Sequence, residues 1–207
     1  MKKKILISLI LLNSFFMSSQ NFEGIISMKK ENFIDTSYLI FYFKNQLIRV
    51  DEKKENCEER TLLINLKLNS LIALSHSRKM FTKIKQKPYE KSIDTNFIIN
   101  KTQTIKKIKN YNCRQWRVKN KIKDIEIAYW VTSDFYPYFE RILKLINRNE
   151  DHLTFFLKIP DVENTFPLQI EEYTILKEKK NIIKIDKIEK KLLEKSIFRI
   201  PDGYIEF

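Results

Sequence analysis

The stretch that most constrains the fold is the C-terminal one, where Phe166-Pro167-Leu168 leads into two alternating runs, Ile170 to Leu176 and Ile182 to Leu193. A period of two puts successive side chains on opposite faces, as a half-buried strand requires. The runs therefore predict an antiparallel pair, and Pro201-Asp202-Gly203-Tyr204 predicts the turn that ends it. A chain that closes this way is committed to a sheet.

The same period recurs upstream. Gly24 to Met28 predicts a first strand. Tyr38 to Phe43 and Leu47 to Asp51 flank Lys44-Asn45-Gln46, the pattern of a hairpin with Asn at its turn. Thr61 to Leu66, Leu71 to Ser75 and Lys79 to Ile84 predict a meander, and Phe97 to Ile108 pairs with Cys113 to Lys119 around Lys109-Asn110. From Asp124 to Thr132 the alternation places Ile125, Ile127, Tyr129 and Val131 on one face and Glu126, Ala128 and Trp130 on the other. One helix is predicted, from about Pro137 to Asn147. There Pro137 suits the first turn, and Phe139, Ile142, Leu143 and Ile146 fall on a single apolar stripe. Glu150 to Thr165 fits neither period.

The N-terminus carries an address. Lys2, Lys3 and Lys4 precede an apolar run from Ile5 to Phe16, and Ser18-Ser19 follow, which is the pattern of a secretory signal peptide over residues 1–20. The run is shorter than the roughly 20 apolar residues of a spanning helix. No cysteine follows the expected cut, so the product is expected to be exported without a lipid anchor, soluble in the periplasm or outside the cell. Residues 21–207 contain no linker or repeat and predict a single domain.

Lysine and arginine number 39 against 26 acidic residues, a formal charge of +13 that includes the three leader lysines. The lysines are spread along the chain among many Ile and Asn, so no nucleic-acid partner is indicated. Peripheral contact with an anionic membrane stays open.

Several chemistries are excluded. Gly24 and Gly203 are the only glycines, whereas phosphate-cradling loops and nucleophile elbows need several close together. His76 and His152 lie in no metalloprotease pattern, and with Cys57 and Cys113 they lack the short paired spacings of a zinc site. Both read as loop or surface residues. Glu171 and Glu172, adjacent in a strand, point to opposite faces and do not converge on one bond. No catalytic residue, metal or cofactor is expected. An exported chain permits a Cys57–Cys113 disulfide, which would stabilise the fold by roughly 4 kcal/mol. Two free, partly buried thiols are the alternative, and spacing does not decide between them.

Aromatic residues are the surplus. They make an ordinary core, or they line the concave face of a curved sheet that holds an acyl chain or lipidated segment.

Five short motifs in order carry a resemblance: Arg49-Val50-Asp51, Ile108-Lys109-Asn110-Tyr111-Asn112-Cys113, Trp130-Val131-Thr132, Phe166-Pro167-Leu168 and Phe198 to Tyr204. Together they resemble an exported domain of unknown function typical of Bacteroidetes, the DUF4412 family, across nearly the whole mature chain. Asn110 stands where that family usually has Gly, and Asn tolerates a left-handed turn. The resemblance implies a fold similar to the lipoprotein carriers LolA and LolB: mainly β (α+β), a strongly curved antiparallel half-barrel with one or two helices on its concave face. It implies no catalytic residues. The function so implied is binding of a hydrophobic ligand, a lipid or lipoprotein acyl chain, by a protein that is not an enzyme. The candidate lining is Phe41, Phe43, Trp116, Trp130, Phe139, Ile142 and Ile146. The alternatives are a protein-interaction or sensor module of the envelope, or a hydrolase without a recognisable motif. A carrier is expected to show an apolar cavity of at least roughly 300 Å³ between helix and sheet; a concave side packed solid by Phe139, Ile142 and the strand aromatics would instead rule the carrier out and favour the interaction module.

Overall fold

The computed structural model describes residues 22–54, 60–85, 87–91, 95–134, 138–174 and 176–207. The expected signal peptide and Cys57 lie outside them. β1 (Gly24–Asn32) starts in the middle of the sheet. From there the chain meanders through β2 (Thr36–Lys44), β3 (Leu47–Lys54), β4 (Arg60–Asn65), β5 (Ser70–Ser75) and β6 (Met80–Lys83) toward one edge. It crosses to the far edge and returns as β7 (Phe97–Ile108), β8 (Tyr111–Asn120), β9 (Ile125–Thr132), β10 (Phe166–Thr174) and β11 (Lys179–Lys190), so that β11 pairs with β1. With β12 (Ile205–Glu206), which lies parallel to β6, the described residues form an open, curved, mostly antiparallel sheet of twelve strands. Gly24 sits at the central seam, where a Cβ would come 2.0 Å from the carbonyl oxygen of Glu189.

With so little glycine, the turns put positive φ on other residues. Asn45 (53°), Asn69 (48°), Lys109 (45°) and Asn110 (71°) all adopt it, and Asn110 thus takes the left-handed role expected of it. Lys109 and Asn110 together have the paired positive φ of the tight turn that matches strand twist. Two of the four-residue turns are closed by asparagine side chains. Asn65 Oδ1 accepts from the N–H groups of Lys67 and Leu68, and Asn120 Oδ1 from those of Ile122 and Lys123.

The two C-terminal runs pair as predicted, with Ile170 opposite Ile183. The Pro201–Tyr204 turn does not end that hairpin. After Lys190 the chain leaves it, makes a 3-10 turn at Lys195–Phe198 against β3, and reaches the opposite edge of the sheet. There Ile205 N–H donates to Lys79 O at 3.0 Å and Phe207 N–H to Phe81 O at 2.9 Å. A two-residue strand carries no period to read, so only its partner across the sheet defines it.

The β9–β10 connection folds over one face of the sheet. It holds α1 (Phe139–Ile146), α2 (Asp151–Thr154) and a 3-10 turn at Phe156–Lys158, which is what Glu150 to Thr165 becomes. α1 starts later than predicted, after a left-handed Tyr138, and Pro137 lies outside the described residues. Its apolar stripe buries Phe139, Ile142 and Leu143, and its end is closed by Asn147 N–H donating to Leu143 O at 2.9 Å. Arg141 Nη2 donates to Leu66 O at 3.0 Å and pins the helix to the β4–β5 turn. Beneath it, the Phe139 ring meets Phe156 at 5.2 Å and Phe166 at 5.0 Å, both edge to face, contacts worth about 1 kcal/mol each beyond burial. Among the described residues no helix is long and apolar enough to cross a membrane.

Candidate functional site

Register defines the floor of the site. Residues directly opposite in neighbouring strands share a face, so Ile26, Phe41, Val50, Leu62, Ala73 and Thr82 form one row across β1 to β6. The next row on the same face is Met28, Leu39, Glu52, Arg60, Ser75 and Met80. An apolar row thus runs beside one that turns polar from β3 onward. Both lie on the face that carries α1.

Two cavities open on this floor. Under α1 is a narrow cleft of about 80 Å³, lined by Met28, Leu39, Phe41, Val50, Leu62, Phe139, Ile142, Leu143, Ile146, Ile170 and Ile183, with Lys30, Glu52, Arg60, Arg148, Glu150 and His152 among its polar residues. Beyond the helix lies a groove of about 380 Å³ over β4 to β6, lined by Leu62, Ala73, Leu74, Met80, Thr82, Ile84 and Phe207 together with Arg60, Arg78 and Arg148. Arg60, Leu62 and Arg148 line both, so the cleft and the groove adjoin as one trough.

The cleft is far smaller than the 300 Å³ or so expected of a carrier cavity at that place, because Phe139 and Ile142 fill the space between helix and sheet. The larger volume is displaced sideways, onto strands that α1 does not cover. Of the predicted lining, Phe41, Phe139, Ile142 and Ile146 meet in the cleft. Phe43, Trp116 and Trp130 line neither cavity. Phe43 is packed between Phe22 and Phe41, with ring centroids at 5.8 and 6.0 Å. Trp116 lies under Lys101 Nζ, 4.6 Å from the ring centroid. Trp130 is on the opposite face from Tyr129, where its Nε1–H donates to Glu171 Oε2 at 3.3 Å. The alternation already assigned Trp130 to the Glu126 face; aromatic content alone drew it into the lining. Arg60, Leu62, Ala73 and Arg148 are the residues that sequence reasoning missed. Their signal is register across four strands, which no single segment contains.

Charge gathers where the two cavities meet. Lys30 Nζ is 3.4 Å from Glu150 Oε2, and Arg148 Nη1 is 3.6 Å from Glu150 Oε1 and 4.0 Å from Glu52 Oε2. Among the described residues Arg60 and Arg78 have no ion-pair partner. His152 is a correction: it is buried in α2, not a surface residue, with Nε2 at 3.4 Å from Glu150 Oε2. Burial, with Lys30 nearby, pushes its imidazole down to about 4 against the pull of Glu150, Glu172 and Asp151. Its backbone carbonyl accepts the Tyr129 hydroxyl at 3.0 Å.

Glu171 and Glu172 do point to opposite faces. Glu172 is buried and held by Lys180 Nζ at 3.0 Å and Asn181 Nδ2 at 2.9 Å, while Glu171 meets Lys179 at 3.5 Å. Cys113 is a free, fully buried thiol raised to about 11, chiefly by burial. Its expected bridge partner Cys57 lies outside the described residues. Among the described residues no group of three or more His, Cys, Asp or Glu could hold a metal ion. By register Arg49, Asp51 and Thr61, the last two buried, project to the face opposite Val50 and Leu62, although Thr61 also borders the groove. Asp51 Oδ1 accepts from Arg49 Nε at 2.8 Å and from Thr61 Oγ1 at 2.6 Å, and Arg49 Nη1 donates to Ile197 O at 3.4 Å. Arg49 and Asp51 of the Arg-x-Asp motif therefore fasten the C-terminal segment, while Val50 between them points to the other face and lines the cleft.

Fold and site define a class: an open, mostly antiparallel sheet whose one face is partly covered by a short helical connection, leaving an apolar trough with a basic rim. The chain belongs to the family described as a domain of unknown function, DUF4412, whose family model matches residues 22–204. Among solved structures it is similar to an uncharacterised conserved protein from Thermus thermophilus, at 9% identity and a TM-score of 0.50, covering 97% of this chain and 99% of that one. It is also similar to PNGF-II in a C2 crystal form, at 12% identity and a TM-score of 0.46, covering 88% of this chain; the chain spans only 30% of PNGF-II. A domain from Vibrio parahaemolyticus assigned to outer-membrane lipoprotein sorting matches at 8% identity and a TM-score of 0.32, over 84% of this chain and 87% of that one. No curated protein matches the chain.

Proposed function

We propose that this protein is an exported, non-enzymatic binder of a single-chain hydrophobic ligand, such as a lipid or a lipoprotein acyl chain. On this reading the sheet is a half-barrel of the LolA kind, with the helices on its concave side. The observation that carries the proposal is the trough: the apolar row Phe41, Val50, Leu62, Ala73 passes without interruption from under α1 into a groove of about 380 Å³. That volume is within the usual range for small-ligand sites, and the 80 Å³ cleft alone is not. A ligand lies mainly over β4 and β5, and the end of its chain enters beneath α1 by lifting a helix of only eight residues whose two flanking residues, Tyr138 and Asn147, are both left-handed.

The close packing of Phe139 and Ile142 under α1 favours a second reading, an interaction module that uses this face to hold another protein. Native mass spectrometry of protein extracted from envelope membranes separates the two. The binder carries an extra mass equal to one acyl-chain lipid, released on unfolding. Protein that comes out at its bare mass from several extractions, and takes up no lipid on incubation, contradicts the binder and leaves the interaction module.

A further inference from the structure

We infer that the trough selects an anionic amphiphile, one acyl chain with a negatively charged head, and that Arg60 and Arg78 hold the head. This rests on the hydrophobic-ligand reading and deepens it. Arg60 lies in the row Glu52, Arg60, Ser75, Met80, next to the apolar row Val50, Leu62, Ala73, Thr82 on the same face. Arg78 follows from the β5–β6 turn, at the same end of the groove, and Arg148 reaches over it from the segment after α1. A basic head site is thus set one strand step from an apolar floor. That spacing suits a molecule charged at one end and apolar along its length.

The charge balance points the same way. Lys30, Arg60, Arg78 and Arg148 surround the junction of cleft and groove, against Glu52 and Glu150. Both carboxylates already face Arg148. Among the described residues Arg60 and Arg78 make no ion pair, and a guanidinium can take a carboxylate or phosphate in two parallel hydrogen bonds. Thr82 adds a hydroxyl within the same groove lining. An acidic peptide fits this face less well. The edge of β6, which such a peptide would extend, is occupied by β12.

The test uses the full chain with three probes at pH 8: palmitate, the uncharged 1-monopalmitoylglycerol with the same tail, and inorganic phosphate with no tail. Palmitate is expected to bind roughly tenfold tighter than the neutral probe, with phosphate alone far weaker than either. In the double variant Arg60→Gln, Arg78→Gln palmitate loses its advantage, and the two amphiphiles are expected to bind with equal affinity. Both side chains are exposed, so the variant is expected to fold and to melt with the native chain. Equal binding of the two amphiphiles by the native chain overturns the inference and leaves the hydrophobic-ligand reading standing. A preference that survives in the double variant also overturns it, as does phosphate binding as tightly as palmitate, which marks a free-anion site. If neither amphiphile binds, the hydrophobic-ligand reading itself falls and takes this inference with it.

Discussion

The hydroxyl of Tyr204 lies 2.6 Å from Nδ1 of His76, and this contact is the outer link of a chain of hydrogen bonds that ends on a buried carboxylate. Thr61 Oγ1 gives its one proton to Asp51 and so can only accept from His76 Nε2, 2.8 Å away. With Nε2 as donor, Nδ1 of a singly protonated ring accepts from Tyr204. Two of the motifs that mark the family in sequence, Arg49-Val50-Asp51 and the closing Phe198 to Tyr204, are therefore the two ends of one latch.

Breaking the latch at its two ends has different consequences. Tyr204→Phe removes one neutral hydrogen bond and is expected to cost about 1 kcal/mol in urea unfolding, with faster amide exchange at Ile205 and Phe207. Asp51→Ala strands Arg49 and Thr61 without their shared acceptor and is expected to cost about 3 kcal/mol or more. Equal costs for the two would contradict the ordering of the chain.

The two glycines separate by a backbone argument. At Gly24 an added Cβ would lie 2.0 Å from Glu189 O across the β1–β11 seam, so Gly24→Ala forces those strands apart and is expected to cost at least about 2 kcal/mol. At Gly203, with φ +79° and open space around it, Gly203→Ala carries only the left-handed strain of about 1 kcal/mol. Thermal melts of the two variants give the order directly.

His152 makes the fold sensitive to acid. Its folded value, about 4, is below the ordinary 6.5, so the unfolded chain binds the additional proton between those values. Stability from this group is fully present above about pH 6.5 and is lost as pH falls toward 4. Lys30 on β1, Glu172 on β10 and Glu150 and Asp151 at the start of α2 are the charges that face it. His152→Gln is expected to flatten the fall in unfolding free energy between pH 7 and pH 5, measured by urea titration. An unchanged slope assigns the acid sensitivity elsewhere.

Cys113 is expected to resist iodoacetamide in the native chain at pH 8, because burial holds its thiol protonated, and to react once the chain is unfolded. Rapid native alkylation contradicts its placement.

What could be read from the sequence was local. Alternation set the faces of β9 correctly through Ile127, Tyr129 and Trp130, and Asn45 and Asn110 marked their turns because few other residues accept a left-handed backbone. The apolar stripe located α1 on Phe139, Ile142 and Leu143. What could not be read was pairing at a distance. Nothing near Tyr204 indicates His76, and nothing near Arg60 indicates Arg148, since each pair is brought together by strands and connections far apart in the chain. Of the lining chosen on aromatic content, Phe43, Trp116 and Trp130 line neither cavity for the same reason. Bulk selects residues for burial, and register decides where.

The account depends on the trough over β4 and β5, and Ala73 tests it most directly. This residue lies on the groove floor and is only partly buried, so Ala73→Trp fills the groove without entering the packing beneath α1. Titration of the native and variant chains with a palmitoyl probe is the measurement. The account predicts that the native chain binds one equivalent and that Ala73→Trp, folded and melting normally, binds at least tenfold more weakly. A variant that binds as tightly as the native chain places the ligand elsewhere and contradicts the account.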